Sequence, residues 1–303
     1  MPHTFLAAAR QGRHQFQHYA LSLVLMLALP TIATVLFAIF LALGMALGPG
    51  TNPATLQQWQ TDPPPGLMAV ALGILLLFCW GLTLAVQAIH RRPWQTVIRG
   101  RGPIQWRRLG ISLGVWLGLL GGNIALLALV TGDRYRLAIT TWGAWFAGLP
   151  LALALALVAA STAALVYGYG LQGLGLWMRR PRRLAIALGM LGALLALPQG
   201  LREASLLGVV MAGLGAGFTV WLVMADQGME VFWGLQIATL LVNSWIVGLE
   251  GATDPWGIPT LLTLEAEAPL APGALTYGLR CALFAWLMLG VGRHWGRGAN
   301  VSA

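Results

Sequence analysis

The chain has 303 residues, 58% of them hydrophobic and only 9% charged, whereas a soluble globular domain carries about 25% charged residues. Lipid rather than water is therefore expected to solvate most of its surface, which excludes an ordinary soluble fold. The basic side of the +9 formal charge is all arginine, with no lysine, and these arginines fall between apolar runs, so they read as topology signals and not as a nucleic-acid footprint.

In chain order, apolar runs long enough to cross a bilayer, or nearly so, occupy residues 20–48, 67–89, 109–130, 145–169, 184–197, 206–224, 230–249 and 276–292. They predict an all-α integral membrane protein of about eight transmembrane helices. The first run follows Arg10 and Arg13 as a signal peptide would. It is far longer than a signal core of about 7 to 15 residues, so it is expected to stay attached as the first span. Run 184–197 falls short of the roughly 17 residues a span needs and is expected to be shielded by neighbours or extended through Pro198. Pro30 and Pro150 lie inside runs, where proline is tolerated more readily than in soluble helices.

Segments 49–66 and 250–275 are rich in Pro, Gly and Thr and read as loops. No interdomain linker is visible, so residues 1–303 are expected to form a single polytopic domain. Cys79 and Cys281 each lie within an apolar run, which argues against a disulfide framework.

Orientation follows from arginine near the span ends. With the N-terminus in the cytoplasm, fourteen of the eighteen arginines fall inside, in the segments holding Arg10 and Arg13, Arg91 to Arg108, Arg179 to Arg183, and Arg293 and Arg297. Seven of the nine acidic residues then fall outside. Eight spans place both termini in the cytoplasm, and seven would scramble the pattern. The loop from His90 to Arg108, with Trp94 and Trp106, suits an interfacial position, either as plain topology or as a contact for anionic lipid head groups.

Gly168, Gly170 and Gly173 spell G-x-G-x-x-G, but no strand precedes them, so close helix packing is expected rather than a dinucleotide site. Gly213 and Gly217 form G-x-x-x-G, which lets two backbones approach within lipid. Ionisable residues at membrane depth normally mark function, and they are almost absent here. All five histidines lie near span ends or in the N-terminal segment, and Glu230, beside Asp226, sits at a span boundary. No metal or other cofactor is implied. The polar residues that penetrate are Ser161, Thr162, Tyr167, Tyr169 and Gln172 in the fourth run, and Gln236, Thr239 and Asn243 in the seventh. The last three share one helical face by i, i+3, i+7 spacing, to serve as interhelical hydrogen bonds or as the lining of a polar cavity.

Several of these segments resemble, in order, the CAAX protease and bacteriocin-processing (CPBP) family of intramembrane proteases, which are mostly bacterial. The stretch from His90 to Trp94 and on through Trp106 to Arg108 resembles the basic segment leading into that family's core spans. The run 162–172, TAALVYGYGLQ, resembles the first motif, which reads Glu-Glu, three residues, Arg-Gly, then an apolar stretch ending in Gln. The run from Gly217 to Asn243, passing DQGMEVFWGLQ at 226–236, resembles the last motif, in which Gly-Leu-His opens a span and Asn follows. The likeness covers residues 90–295, with residues 20–89 as two preceding spans, and it implies a CPBP-like bundle in a bacterial inner membrane.

The family is thought to activate water with glutamate and histidines at membrane depth, and none of these is retained. The paired glutamates fall on Thr162 and Ala163, the arginine on Tyr167, the second-motif histidine near Pro198 and the last-motif histidine on Gln236. The following asparagine falls on Leu240, with Asn243 one turn further. None of Thr, Ala, Tyr, Pro or Gln replaces Glu and His as a general base near neutral pH. The resemblance therefore implies a non-catalytic homologue that binds membrane lipid, a membrane-protein partner or a hydrophobic peptide. Ser161, Tyr169, Gln172, Thr239 and Asn243 would then line a leftover cavity. Two other readings remain: an active peptidase using Glu203 or Glu230, and a transporter or permease subunit. The uncharged spans argue against ion coupling in the latter.

Overall fold

The computed structural model describes residues 4–10, 12–13, 15–47, 65–100, 103–131, 135–139, 141–178, 181–202, 206–249, 260–264 and 270–291. Each of the eight apolar runs forms a helix there. In chain order these are α1 (Phe16–Leu47), α2 (Pro65–Leu84), α3 (Trp106–Thr131), α4 (Trp142–Trp177), α5 (Pro181–Arg202), α6 (Leu206–Asp226), α7 (Glu230–Leu241) and α8 (Leu270–Ala285). Among the described residues, five stretches are long and apolar enough to cross a membrane: Gln17–Ile39, Val70–Ile89, Trp106–Val130, Trp142–Leu176 and Leu206–Asp226. The chain is a multi-pass α-helical membrane protein.

Local chemistry accounts for several helix ends. The Thr141 side chain caps α4 by accepting from the Ala144 amide at 3.3 Å, and Pro181 opens α5, where its missing N–H costs nothing. Pro30 lies inside α1, as proline is tolerated to do in lipid, and the Thr34 hydroxyl one turn on donates back to the Pro30 carbonyl at 2.7 Å. The seventh run is less regular than its apolarity suggests. Helix α7 covers 12 residues, then widens into a π-helical segment, Val242–Ile246, before a strand.

That strand, β2 (Val247–Leu249), belongs to a small sheet with β1 (Tyr135–Leu137) and β3 (Leu262–Leu264), in the order β1-β3-β2. β1 runs antiparallel to β3, pairing Tyr135 with Leu264, and β2 runs parallel to it, pairing Val247 with Leu262. The sequence reads β1 and β3 as loop and β2 as the end of the seventh apolar run, because three residues are too few to display a strand's alternation.

Apolar side chains on the helix exteriors, such as Leu129 at 84% and Val130 at 74% exposure, suit hydrocarbon. The main core gathers Phe5, Leu82, Val97, Ile98, Ala164, Leu171, Val223, Met229 and Phe232. Helices α5 and α6 meet through small residues. A Cβ on Gly192 would lie 2.7 Å from the Ala216 Cβ, and one on Gly213 would lie 3.0 Å from the Gly189 carbonyl. The G-x-x-x-G of α6 thus packs within the chain, at a distance only small residues allow.

Candidate functional site

The motif-matched positions fall on three helices. Thr162, Ala163 and Tyr167 lie on α4, Gln236 on α7 and Pro198 on α5. Helices α4 and α7 pack together: the rings of Tyr167 and Phe232 are 5.3 Å apart, and a Cβ on Gly168 would stand 3.3 Å from the Met229 Cγ. Gln236 is one turn beyond Phe232 on the same helical face. Pro198 is exposed.

Most of the polar groups near these positions are used internally. Ser161 and Thr162 donate to the carbonyls of Leu157 at 2.6 Å and Val158 at 2.8 Å, and Thr162 also meets the Cys79 thiol at 2.9 Å. Thr239 donates to the Leu235 carbonyl at 2.9 Å and accepts from Trp116 Nε1 at 2.8 Å, tying α7 to α3. Gln172 is fully buried and donates to the Thr96 carbonyl at 2.6 Å. Asn243 is exposed on the π-helical segment. Thus Thr239 faces α3, while Asn243, which the spacing put on the same face, is carried elsewhere by the wider turn.

The two carboxylates among the described residues, Asp226 and Glu230, sit where α6 ends and α7 begins. Glu230 is 2% exposed, accepts from the Gln105 amide at 3.3 Å and lies 3.7 Å from Arg99 Nη1. Asp226 is bound by Arg108 Nη2. The loop backbone completes the tie, with the Met229 amide donating to the Ile98 carbonyl at 2.7 Å. The arginine-rich loop is therefore folded against the bundle end. Glu203 lies outside the described residues.

A second polar cluster occupies the same end and escaped sequence reading. His90 is 1% exposed. Its Nδ1 is 2.6 Å from the Arg13 carbonyl, so it carries the proton, and its Nε2 accepts from the Tyr169 hydroxyl at 2.8 Å. Ser22 Oγ lies 3.1 Å from the same nitrogen. The rings of Tyr19 and His90 are 4.8 Å apart, and those of Tyr19 and Tyr169 5.4 Å. Burial pushes the His90 pKa below the usual imidazole value, and the neighbouring Arg92 and His18 push the same way, against the Arg13 carbonyl. The histidine and the arginines after it look, in sequence, like a topology signal. Only the fold brings α1, α2 and α4 together around them.

Among the described residues, no three His, Cys, Asp or Glu side chains gather closely enough to hold a metal ion. Compared with family models, curated proteins and solved structures, the chain has no match in any of the three.

Proposed function

We propose that this chain is a non-catalytic, CPBP-like protein of a bacterial inner membrane, with eight spans and both ends in the cytoplasm. It binds a membrane helix, a lipid or a hydrophobic peptide. The arginine asymmetry and the helix at every apolar run support the topology. The observation that carries the functional reading is the set of groups at the motif-matched positions. Thr162 donates to a helix carbonyl, Tyr167 packs on Phe232, and neither these residues nor Ala163, Pro198 and Gln236 can hold a proton as a general base near neutral pH.

Glu230 gives little support to a displaced active site. It stands two residues before Phe232, and side chains two apart on a helix do not share a face, so it points away from Tyr167 and toward Arg99 and Gln105. The ion pairs described lie at helix ends rather than mid-span, unlike the midplane charges of ion-coupled carriers.

The test is mass-spectrometric detection of new peptide termini when the purified protein, in lipid, meets a membrane-protein pool, with an active intramembrane protease as control. No cleavage beside an active control is the expected outcome. New termini that vanish on Glu230→Gln would establish an active peptidase and overturn the reading.

A further inference from the structure

Arg92 is 3% exposed, yet both described carboxylates are engaged elsewhere, Asp226 with Arg108 and Glu230 with Arg99. Its Nη1 donates to the Ala8 carbonyl at 2.9 Å. Its Nε and Nη2 are sealed from solvent and have no partner. Those two nitrogens form one edge of the planar guanidinium and direct parallel N–H groups at a single point. That edge grips two oxygens of an oxyanion at once. A buried guanidinium cannot shed its charge as a carboxyl or imidazole does, so an unmatched one calls for an anion.

The surroundings supply one further donor. Tyr19 and Tyr169 lie close enough to interact with Arg92 electrostatically, and the Tyr19 hydroxyl is itself buried without a partner. His90 has both ring nitrogens engaged, so it forms the wall of the cluster. The N-terminal segment covers this floor. Phe5, Leu6, Ala8 and Ala9 are buried, Leu6 seats over Gly175, where a Cβ would lie 2.6 Å from its Cδ2, and the Arg13 amide donates to the His90 carbonyl at 3.1 Å. A cavity of about 400 Å³, lined by Gly12, Arg13, Gln15, Gln17 and His18, adjoins the cover.

We propose that the Nε and Nη2 edge of Arg92, with the Tyr19 hydroxyl in the same buried cluster, binds a phosphate-class oxyanion, and that residues 4–13 close over it as a strap. Phosphate is favoured over carboxylate by position: Arg92 follows directly on the apolar stretch Val70–Ile89, the depth at which lipid phosphates lie. The oxyanion is a lipid head group or free phosphate. The inference is independent of whether the motif-matched positions are catalytic.

The full chain is placed in nanodiscs of phosphatidylcholine with and without phosphatidylglycerol, and separately in detergent with inorganic phosphate. Lipid retention is read by native mass spectrometry and deuterium uptake over residues 4–13 by exchange. For the wild type, a retained phosphatidylglycerol with altered strap uptake assigns a lipid, and altered uptake with inorganic phosphate alone assigns the free ion. For Arg92→Gln, binding should fall about tenfold or more, as loss of a charge-assisted two-point contact requires, while Arg182→Gln, at an exposed arginine of α5 outside the strap, leaves it unchanged. Should Arg92→Gln not fold, Arg92→Lys decides, since it keeps the charge and loses the paired edge. Unchanged binding in Arg92→Lys, equal loss in Arg182→Gln, or no response of the wild type to either phosphate source would overturn the proposal.

Discussion

Trp145 and Trp245 clasp each other across α4 and the end of α7. Their rings stack 4.1 Å apart at 6°, and each Nε1 donates to the other's carbonyl at 3.0 Å. The pair thereby joins α4 to the π-helical segment after α7, where the Trp245 carbonyl also accepts from the Leu261 amide at 3.2 Å. Trp245→Phe keeps a ring and removes one donor, so a loss of about 1–3 kcal/mol is expected from the bond and part of the stacking. A double-mutant cycle with Trp145→Phe, read from thermal unfolding in detergent, should show the two losses to be non-additive.

The three glycines of G-x-G-x-x-G should respond unequally. A Cβ on Gly168 would meet the Val97 carbonyl oxygen at 2.5 Å, and one on Gly173 the Tyr19 ring at 2.9 Å, whereas one on Gly170 would meet nothing within 4 Å. Gly168→Ala is expected to cost about 1–3 kcal/mol by overpacking against backbone. Gly170→Ala should be neutral or gain up to about 1 kcal/mol from helix propensity. Equal costs at both positions, measured by thermal unfolding, would contradict helix packing as the role of the motif.

Acidification should loosen the end of the bundle held by His90. Its folded pKa lies below the unfolded value of 6.5 because burial disfavours the imidazolium. The stabilisation is therefore complete above the unfolded value and is lost as pH falls through it toward the folded one. Deuterium uptake over residues 4–13 should rise, and the unfolding temperature fall, between about pH 7.5 and about pH 5.5. His90→Asn should flatten both responses.

The Arg108 and Asp226 pair couples the arginine-rich loop to the end of α6. The Asp226 side chain is 1% exposed and that of Arg108 37%, so losing the arginine strands a buried carboxylate. Arg108→Leu is expected to cost about 1–3 kcal/mol, less than for a fully buried pair because solvent screens the partly exposed guanidinium, and adding Asp226→Leu should recover much of it, since removing both members is milder than stranding the buried carboxylate. Unfolding in detergent compares the two variants directly.

Gly12 lies in the strap with a left-handed backbone. It holds φ at +90°, and a Cβ there would run into the His90 carbonyl oxygen. Gly12→Ala should therefore release residues 4–13 while leaving the helices folded, visible as faster exchange confined to that segment.

Sequence alone determined that lipid is the solvent and where the helices lie. A bilayer leaves unpaired backbone groups without water, so an apolar run of sufficient length has to be helical there, and each of the eight runs contains a helix, although the seventh, 230–249, ends in β2. It also located the residues that break this uniformity, including Glu230 and the polar positions of α4 and α7. Tertiary structure alone decided how these are used. The spacing of Gln236, Thr239 and Asn243 describes a regular helix, but the π-helical segment after Leu241 and the bond from Trp116 distribute them differently. Likewise, Arg92 sits among other arginines in sequence, and what distinguishes it is burial with its Nε and Nη2 unpartnered. Periodicity and hydropathy record which solvent a residue prefers, whereas a hydrogen bond between His90 and Tyr169, 79 positions apart, depends on which helices meet, and no local pattern carries that.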